Sequence, residues 1–189
     1  IEGTVESHVV SGYKYAENAY ENVPLTITAD PEQNVIHVYL VKDSFAYTVN
    51  HIYDGDESLN YSDSGSALFA SEIGYTANEK DGYKFDHDDA TGGKITISSD
   101  PSKNVINVYY VKDSFDYSVE YYYDGIIDNS KTVTGTANFK DVIEAYTDKV
   151  IDGYKLDETN PVNVPLEISH DESKNVIKVY YVKDSFDYS

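Results

Sequence analysis

Residues 104–117 read NVINVYYVKDSFDY, and this stretch decides how the rest of the chain is organised. It recurs at 34–47 as NVIHVYLVKDSFAY, identical to the middle copy at 11 of 14 positions, and at 175–188 as NVIKVYYVKDSFDY, identical at 13 of 14. The copies start 70 and then 71 residues apart. Self-similarity at a fixed period is the signature of a repeat protein, so the chain is built from tandem units.

The recurring stretch sets the boundaries of the units. A second anchor recurs in step with it, as SGYKY at 11–15, DGYKF at 81–85 and DGYKL at 152–156. We expect four pieces: a partial unit at 1–46, full units at 47–116 and 117–187, and the start of a further unit at 188–189. The chain is therefore expected to be a segment of a longer array. The partial unit lacks a first strand, so we expect its N-terminus to be poorly ordered or its sheet to be completed by a strand from another molecule.

Each full unit is predicted to be mostly β. Its first and last segments, 117–124 and 175–183, are the most strand-like because β-branched and aromatic residues dominate them. Shorter strands are expected at 130–135, in the Asp-Gly-Tyr-Lys segment and at 166–169. The best helix candidate is 139–149, with Asp141 as its N-cap.

Alternation along the last strand predicts which face is buried. In the two full units one face carries Ile106, Val108, Tyr110, Ile177, Val179 and Tyr181. On the other face, one position is His37, Asn107 or Lys178 in the three copies, which indicates contact with water. We therefore expect the first set to form the core, and the opposite face of the sheet to be partly open.

Composition excludes several classes of function. The chain carries 34 acidic and 14 basic residues, a formal net charge of −20, which argues against nucleic acid and anionic membranes as partners. It has no Cys, so a disulfide framework, a thiolate zinc site and a cysteine nucleophile are excluded. No apolar run approaches the ~18 residues of a membrane span.

Motifs for catalysis are missing from the sequence. The five histidines form no HxxxH or HExxH pair, and no GxSxG or phosphate-binding glycine loop is present. His51 stands where the next unit has Tyr121, which indicates variation between repeats rather than a ligand. We expect no enzyme activity, no catalytic residues and no cofactor.

The sequence suggests two further kinds of site, and favours neither. The acidic clusters at 54–57 and 86–89 suggest calcium, but the repeat places Ile126 and Ile127 where the first cluster has Asp56 and Glu57, so solvated turns and no metal are expected. Recurring lysines and asparagines suggest an internal Lys–Asn crosslink, but they lie at opposite ends of one strand and cannot meet each other, which leaves a crosslink to a different asparagine as the alternative. The residues concerned are Asn104, Asn175, Lys112 and Lys183.

The order of motifs in a full unit carries a family resemblance. It runs Val-x-Tyr-x-Tyr-Asp-Gly at 119–125, Thr-x-Thr-Gly at 132–135, Gly-Tyr-Lys-Leu at 153–156 and Val-Ile-x-Val-Tyr-Tyr at 176–181. This resembles the MucBP (mucin-binding protein) repeats of Gram-positive surface proteins and covers nearly the whole chain. The resemblance implies tandem ubiquitin-like β-grasp repeats arranged end to end, in an extracellular, cell-wall-attached adhesin that sometimes binds mucin glycans.

Tyrosines on the open face are candidates for binding. In a β-grasp unit the first and last strands lie side by side, which would bring Glu120 and Tyr122 beside Lys178 and Tyr180. Asn50 and Ile52 would likewise lie beside Asn107 and Tyr109. Flat aromatic surfaces with hydrogen-bonding neighbours can stack sugar rings, so the candidate glycan-binding residues are Tyr109, Tyr122, Tyr180, Glu120 and Lys178.

The junction between units is short. Only residues 113–116 separate the expected strands, with no Gly or Pro among them, so the connection cannot act as a flexible tether. Phe115, with Phe45 in the same place, is expected to pack between successive units and fix their angle, flanked by Tyr117 and Tyr47. The resulting hypothesis is a semi-rigid, extended rod.

Two functions follow from these patterns. The first is structural: a stalk that holds a distal adhesive region away from the cell wall, its partners being the neighbouring repeats. The alternative is a module that binds mucin or other glycans weakly and gains avidity from repetition.

Overall fold

The computed structural model describes residues 9–185. The chain is 49% strand and 8% helix, which confirms the mostly β class. Two compact units are found, one within residues 1–78 and 86–109 and the other within 79–85 and 110–189. Over the described range, none of the helices is both long enough and apolar enough to span a membrane.

The partial repeat forms a small sheet in its described part. Strand β1 (Tyr13–Glu21) pairs antiparallel with β2 (His37–Lys42), with an irregularity between Tyr15 and Tyr20. Val38 of β2 is 39% exposed, whereas Val108, at the same place in the next repeat, is fully buried. The expectation of a poorly ordered N-terminus falls on residues 1–8, outside the described residues, and completion by another molecule stays a prediction.

The first full repeat contributes six strands in two sheets. They are β3 (Ser44–Tyr53), β4 (Tyr61–Leu68), β5 (Glu72–Gly74), β6 (Tyr83–Asp88), β7 (Lys94–Thr96) and β8 (Val105–Lys112). The larger sheet has the order β4-β3-β8-β6, and β5 pairs with β7. Strands β6 and β8 contribute residues to both compact units.

The second full repeat contributes seven strands. They are β9 (Ser114–Tyr123), β10 (Ile126–Ile127), β11 (Val133–Asn138), β12 (Val142–Ile143), β13 (Tyr154–Leu156), β14 (Leu166–Glu167) and β15 (Val176–Lys183). The main sheet has the order β10-β9-β15-β13, with β11 also paired to β9, and β12 pairs with β14. The short 3-10 helical turns of the whole described chain are Pro31–Gln33, Glu57–Leu59, Thr91–Gly93, Pro101–Lys103 and Glu172–Lys174.

The first and last strands of the second full repeat are parallel neighbours. Strand β15 pairs with β9 from Val176 opposite Ser118 to Tyr181 opposite Tyr123. The expected adjacency of these two strands is therefore confirmed. One face of the pair forms the core, which consists of Val119, Tyr121, Tyr123, Ile177, Val179 and Tyr181.

The predicted parity of the last strand is also confirmed. All six residues expected in the core are at most 1% exposed, and Lys178 on the opposite face is exposed. Burying a side chain such as Ile or Val stabilises a fold by ~1.5–3 kcal/mol, so alternation here fixes the orientation of the strand.

In each full repeat a buried asparagine connects the last strand to the first by hydrogen bonds. Asn175, 1% exposed, accepts a hydrogen bond from the Ser169 amide at 2.8 Å and donates to the carbonyls of Ser169 at 2.8 Å and Asp116 at 3.2 Å. Asn104 makes the same three bonds in the preceding repeat, to the amide and carbonyl of Ser98 and the carbonyl of Ala46. Since a buried amide without partners is costly, each residue fixes where its last strand starts.

The partial repeat keeps two of these three bonds. Asn34 accepts from the Thr28 amide at 2.8 Å and donates to the Thr28 carbonyl at 2.9 Å. The bond that Asn34 does not share is the one that Asn104 donates to the Ala46 carbonyl and Asn175 donates to the Asp116 carbonyl. Both carbonyls lie at the start of the first strand of a full repeat. The sequence suggests Asn104 and Asn175 only as crosslink candidates, and in the structure they fix the start of the last strand.

The predicted helix at 139–149 is wrong. Lys140 has a positive φ of 63°, and its amide donates to the carbonyl of Ile168 at 2.9 Å, which turns the chain toward β14. Val142 and Ile143 then form β12, and residues 144–149 are irregular. Asp141 accepts a bond from the Asn138 amide at 3.0 Å, so it closes a turn instead of capping a helix.

Two expected boundaries also need correction. The connection between full repeats is Asp113 alone, because β9 begins at Ser114, and residues 114–116 pair with 136–138 of β11. The strand expected to end near Gly135 continues to Asn138 for the same reason. The ladder between β9 and β11 thus takes up residues that the sequence assigned to a loop.

Replacing the buried asparagine should destabilise the second full repeat. In Asn175→Ala, the Ser169 amide and the Asp116 carbonyl lose their partner inside the protein, at a cost of about 1–3 kcal/mol in the free energy of unfolding. Urea denaturation measures this loss. Asn34→Ala is the matched control, since Asn34 is only half-buried and its side-chain bonds go to Thr28, so this substitution should cost less. Equal effects of the two substitutions would contradict the role assigned to Asn175.

Candidate functional site

The single residue between repeats is held by backbone hydrogen bonds on both sides. In the second compact unit the Asp113 amide donates to the Gly82 carbonyl, and the Asp113 carbonyl accepts from the Phe139 amide, both at 2.9 Å. In the first compact unit Asp43 makes the same bonds to Gly12 at 2.9 Å and Phe69 at 2.8 Å. We call each set a junction, defined by Gly82, Lys84, Asp113, Phe115 and Phe139 in one case and by Gly12, Lys14, Asp43, Phe45 and Phe69 in the other.

A carboxylate and a lysine pair within each junction. Lys84 Nζ lies 2.8 Å from Asp113 Oδ1, and the same oxygen accepts from the Ser114 amide at 2.9 Å. Lys84 holds the pKa of the Asp113 carboxyl below its usual value, with the Ser114 amide adding to the effect. Lys14 and Asp43 are also 2.8 Å apart, with the same direction of pKa shift. The pairs are partly exposed, so they add positional order more than stability.

An aromatic ring closes each junction. Phe139 lies directly over Gly82, where a Cβ atom would overlap its ring. It also makes edge-to-face contacts with Tyr83 and Phe115, at centroid distances of 5.7 and 6.3 Å. Gly82 has a φ of +84°, which glycine adopts at little cost, so the residue serves both the turn and the close approach of the ring.

The first compact unit repeats this aromatic arrangement. Phe69 lies over Gly12 and contacts Tyr13 at 5.8 Å and Phe45 at 6.3 Å. The interplanar angle of the phenylalanine pair is 71° here and 70° in the other junction. Two independent copies with the same geometry indicate that the sequence encodes the arrangement.

The structure places the predicted junction residues in two groups. Phe45 and Phe115 lie in the junctions, against Phe69 and Phe139. Tyr47 and Tyr117 lie across from Gly65 and Gly135 within their own repeats, with their rings over these glycines. An aromatic side chain over a strand glycine covers backbone that would otherwise be exposed.

The sheet face opposite the core carries the candidate glycan-binding residues. Glu120 lies beside Lys178, and Tyr122 beside Tyr180, in the register of β9 and β15. The two tyrosine rings stack with centroids 4.9 Å apart, and the Tyr122 hydroxyl donates to Glu120 at 2.6 Å. This hydrogen bond raises the pKa of Tyr122 to about 12.

The corresponding face of the preceding repeat differs. Asn50 Nδ2 donates to Asn107 Oδ1 at 2.7 Å, as expected from the side-by-side strands. Tyr109 stacks on His87 at a centroid distance of 4.5 Å. Because Ile52 stands where the next repeat has Tyr122, the tyrosine pair is particular to the second full repeat.

The acidic clusters act as hydrogen-bond acceptors in turns. Asp56 accepts from the Ser58 hydroxyl at 2.6 Å, Asp88 from the Ala90 amide at 2.9 Å, and Asp89 from the Asn107 amide at 2.8 Å. Within residues 9–185, no group of three or more His, Asp or Glu side chains is arranged to hold a metal ion.

His51 lies in the core of its repeat. It is 2% exposed, and its ring stacks on Tyr61 with centroids 4.4 Å apart. Its Nε2 lies 3.6 Å from a carboxylate oxygen of Asp63. The histidine therefore occupies the packing position of Tyr121 in the next repeat.

Sequence reasoning missed the residues that hold the junction opposite Phe45 and Phe115. Phe69 and Phe139 recur at equivalent positions, as do the lysines of the GYK anchor and the aspartates of VKD. These recurrences were visible, but nothing in one sequence showed that a lysine 29 residues before an aspartate would pair with it.

Comparison with known proteins gives no match for this chain, either among protein-family models or among curated proteins.

A side chain at Gly82 should open the junction. Gly82→Ala adds a methyl group into the space of the Phe139 ring, while Gly153→Ala has a similar φ, +82°, and nothing within 4 Å of the new methyl. Both substitutions place alanine at a positive φ and carry the same backbone cost. The difference between their losses in the free energy of unfolding therefore measures the contact with the ring. We expect Gly82→Ala to lose about 1–3 kcal/mol more in the free energy of unfolding. Equal losses in urea denaturation would contradict the contact.

Acid should weaken the junction. The folded-state pKa of Asp113 is lowered, so its contribution to stability is present above its unfolded pKa of about 3.9, and is lost as pH falls through the folded value. Asp113→Asn should therefore be less stable than the natural protein at pH 7, and the gap should close below about pH 4. Thermal unfolding across this range measures the gap. Asp152→Asn, at an exposed position, is the control, and a gap that stays constant with pH would contradict the prediction.

Proposed function

We propose that the chain is a segment of the tandem-repeat stalk of a bacterial adhesin, located outside the cell and attached to the cell wall. In this role the repeats have no ligand of their own and serve as spacers for a distal adhesive region. The observation that carries the proposal is the junction, which occurs twice with the same hydrogen bonds, ion pair and aromatic contacts. A spacer needs neighbouring repeats that hold each other, and a free tether would not meet that need.

The β-grasp architecture belongs to the same proposal. Its support is the mixed main sheet, in which the parallel first and last strands lie at the centre and antiparallel strands flank them. The likeness of the motifs at 119–125, 132–135, 153–156 and 176–181 to MucBP repeats supports both the fold and the extracellular location. The lack of Cys suits a surface protein that is stabilised by packing alone.

A second candidate function is weak glycan binding on the open face of the second full repeat. It is favoured by the half-buried stacked pair of Tyr122 and Tyr180, with Glu120 and Lys178 as polar neighbours. The two rings cover part of each other, and the Tyr122 hydroxyl is engaged by Glu120, which leaves less of the pair for a sugar. For this reason the stalk is the preferred role.

Native-state proteolysis tests the stalk proposal. Trypsin cleaves after Lys112 only when the junction opens, because Asp113 is bonded on both sides. Phe139→Ala loses the ring contacts with Tyr83, Phe115 and His170, and we expect cleavage at this bond to be about tenfold faster in this variant. Val133→Ala, in the same compact unit, is the control. Mass spectrometry assigns the cleavage site. Equal rates in the natural protein and Phe139→Ala would show that the connection is a tether.

The same protein applied to immobilised mucin and a glycan array separates the two candidates. For a stalk we expect no binding to mucin or to the glycan array, even at high protein concentration. Binding that Tyr180→Ser abolishes would establish the glycan-binding role instead.

A further inference from the structure

The chain concentrates its oxidisable side chains in one residue type. It contains 20 tyrosines and no Cys, Met or Trp. Cys and Met are common targets of oxidants in proteins. Without these and without Trp, one-electron oxidation of this chain falls on tyrosine.

One tyrosine pair is placed for coupling. Tyr122 and Tyr180 lie directly opposite each other on the parallel strands β9 and β15. Their ring centroids are 4.9 Å apart with an interplanar angle of 25°, and both side chains are half-buried, so a small oxidant can reach them. A second stacked pair, Tyr123 and Tyr181, is 9% and 1% exposed and lies in the core. Tyr15 and Tyr20 are farther apart, with centroids at 5.7 Å, and their rings are tilted by 34°.

A proton acceptor is already bound to this pair. The Tyr122 hydroxyl donates to Glu120 Oε2 at 2.6 Å. A phenol that loses an electron must also lose its proton, and a carboxylate in hydrogen-bond contact can take that proton at once. The Tyr122 hydroxyl keeps its proton at physiological pH, as a tyrosine ordinarily does, so its oxidation needs a proton acceptor.

We propose that Tyr122 and Tyr180 form an oxidative crosslinking site, which yields a dityrosine within one repeat. The co-reactant is a peroxidase-type one-electron oxidant with hydrogen peroxide. Each phenol gives up one electron and one proton, and a carbon–carbon bond forms between the ring carbons next to the hydroxyls. The hydrogens on those carbons then move to the phenol oxygens through solvent, and the peroxide, having taken two electrons and two protons, leaves as two waters.

The new bond would join the first and last strands of the repeat. Most of the repeat lies between the two residues in sequence, so the crosslink closes a long loop and should raise the melting temperature. The preceding repeat has Ile52 in place of Tyr122, and its Tyr109 stacks on His87, which supplies an internal comparison. The inference does not depend on the proposed stalk role.

Treatment of dilute protein with horseradish-type peroxidase and hydrogen peroxide tests the site. We expect a monomer lighter by two hydrogens, dityrosine fluorescence, and a crosslinked peptide that joins Tyr122 to Tyr180 on sequencing. Tyr180→Phe should abolish this product, and Tyr109→Phe, at the equivalent position of the preceding repeat, should leave its yield unchanged. Glu120→Gln should slow its formation at neutral pH.

Three different results would contradict the crosslinking site. Crosslinks that map to Tyr123 and Tyr181, products found only as intermolecular dimers, or a Tyr180→Phe variant that still gives the same crosslinked monomer would overturn the proposal. Circular dichroism of the variants confirms that they are folded, since Tyr→Phe removes only a hydroxyl from a half-buried ring.

Discussion

The parallel pairing of the first and last strands is the contact on which the second full repeat depends. Strand β15 can pair with β9 only after the intervening chain has folded, because a parallel pair needs a long crossover connection. Once made, the pair supplies all six buried residues of the main core cluster. The hydrogen bond from Asn175 to the Asp116 carbonyl then sets the starting point of the ladder. Folding of such a repeat is governed by contacts distant in sequence, which favours slow folding over fast.

Features with a period of two residues could be predicted from the sequence. In 175–183 both faces of the strand carry apolar residues, and the three copies showed which face tolerates His, Asn or Lys, which assigned Ile177, Val179 and Tyr181 to the core. The strand neighbours, including Asn50 beside Asn107, were predicted from the resemblance to β-grasp repeats. The burial pattern was predictable because burial of one sheet face dominates the energy of a strand.

Features set by contacts between distant segments could not be predicted. The segment 139–149 has a capping residue and apolar spacing suited to a helix. However, the Lys140 amide donates to the Ile168 carbonyl and the Asp141 carbonyl accepts from the Ile168 amide, which makes the chain turn and pair. The positive φ of Lys140 is not a preference of lysine and arises from those bonds. In the same way the sequence showed that Gly82 and Phe139 each recur, and only the fold shows that one lies over the other.

The single residue between repeats restricts how such an array can arise by gene duplication. An exchange that added or removed one residue at Asp43 or Asp113 would disrupt the backbone hydrogen bonds that these residues make on both sides. Recombination is therefore confined to in-phase events there. The one difference in length between the two full repeats lies between Phe139 and Tyr146, where the chain is largely irregular and an extra residue shifts no long ladder. The gene can therefore gain or lose a codon in segments that pair with no other strand, and not in segments that do.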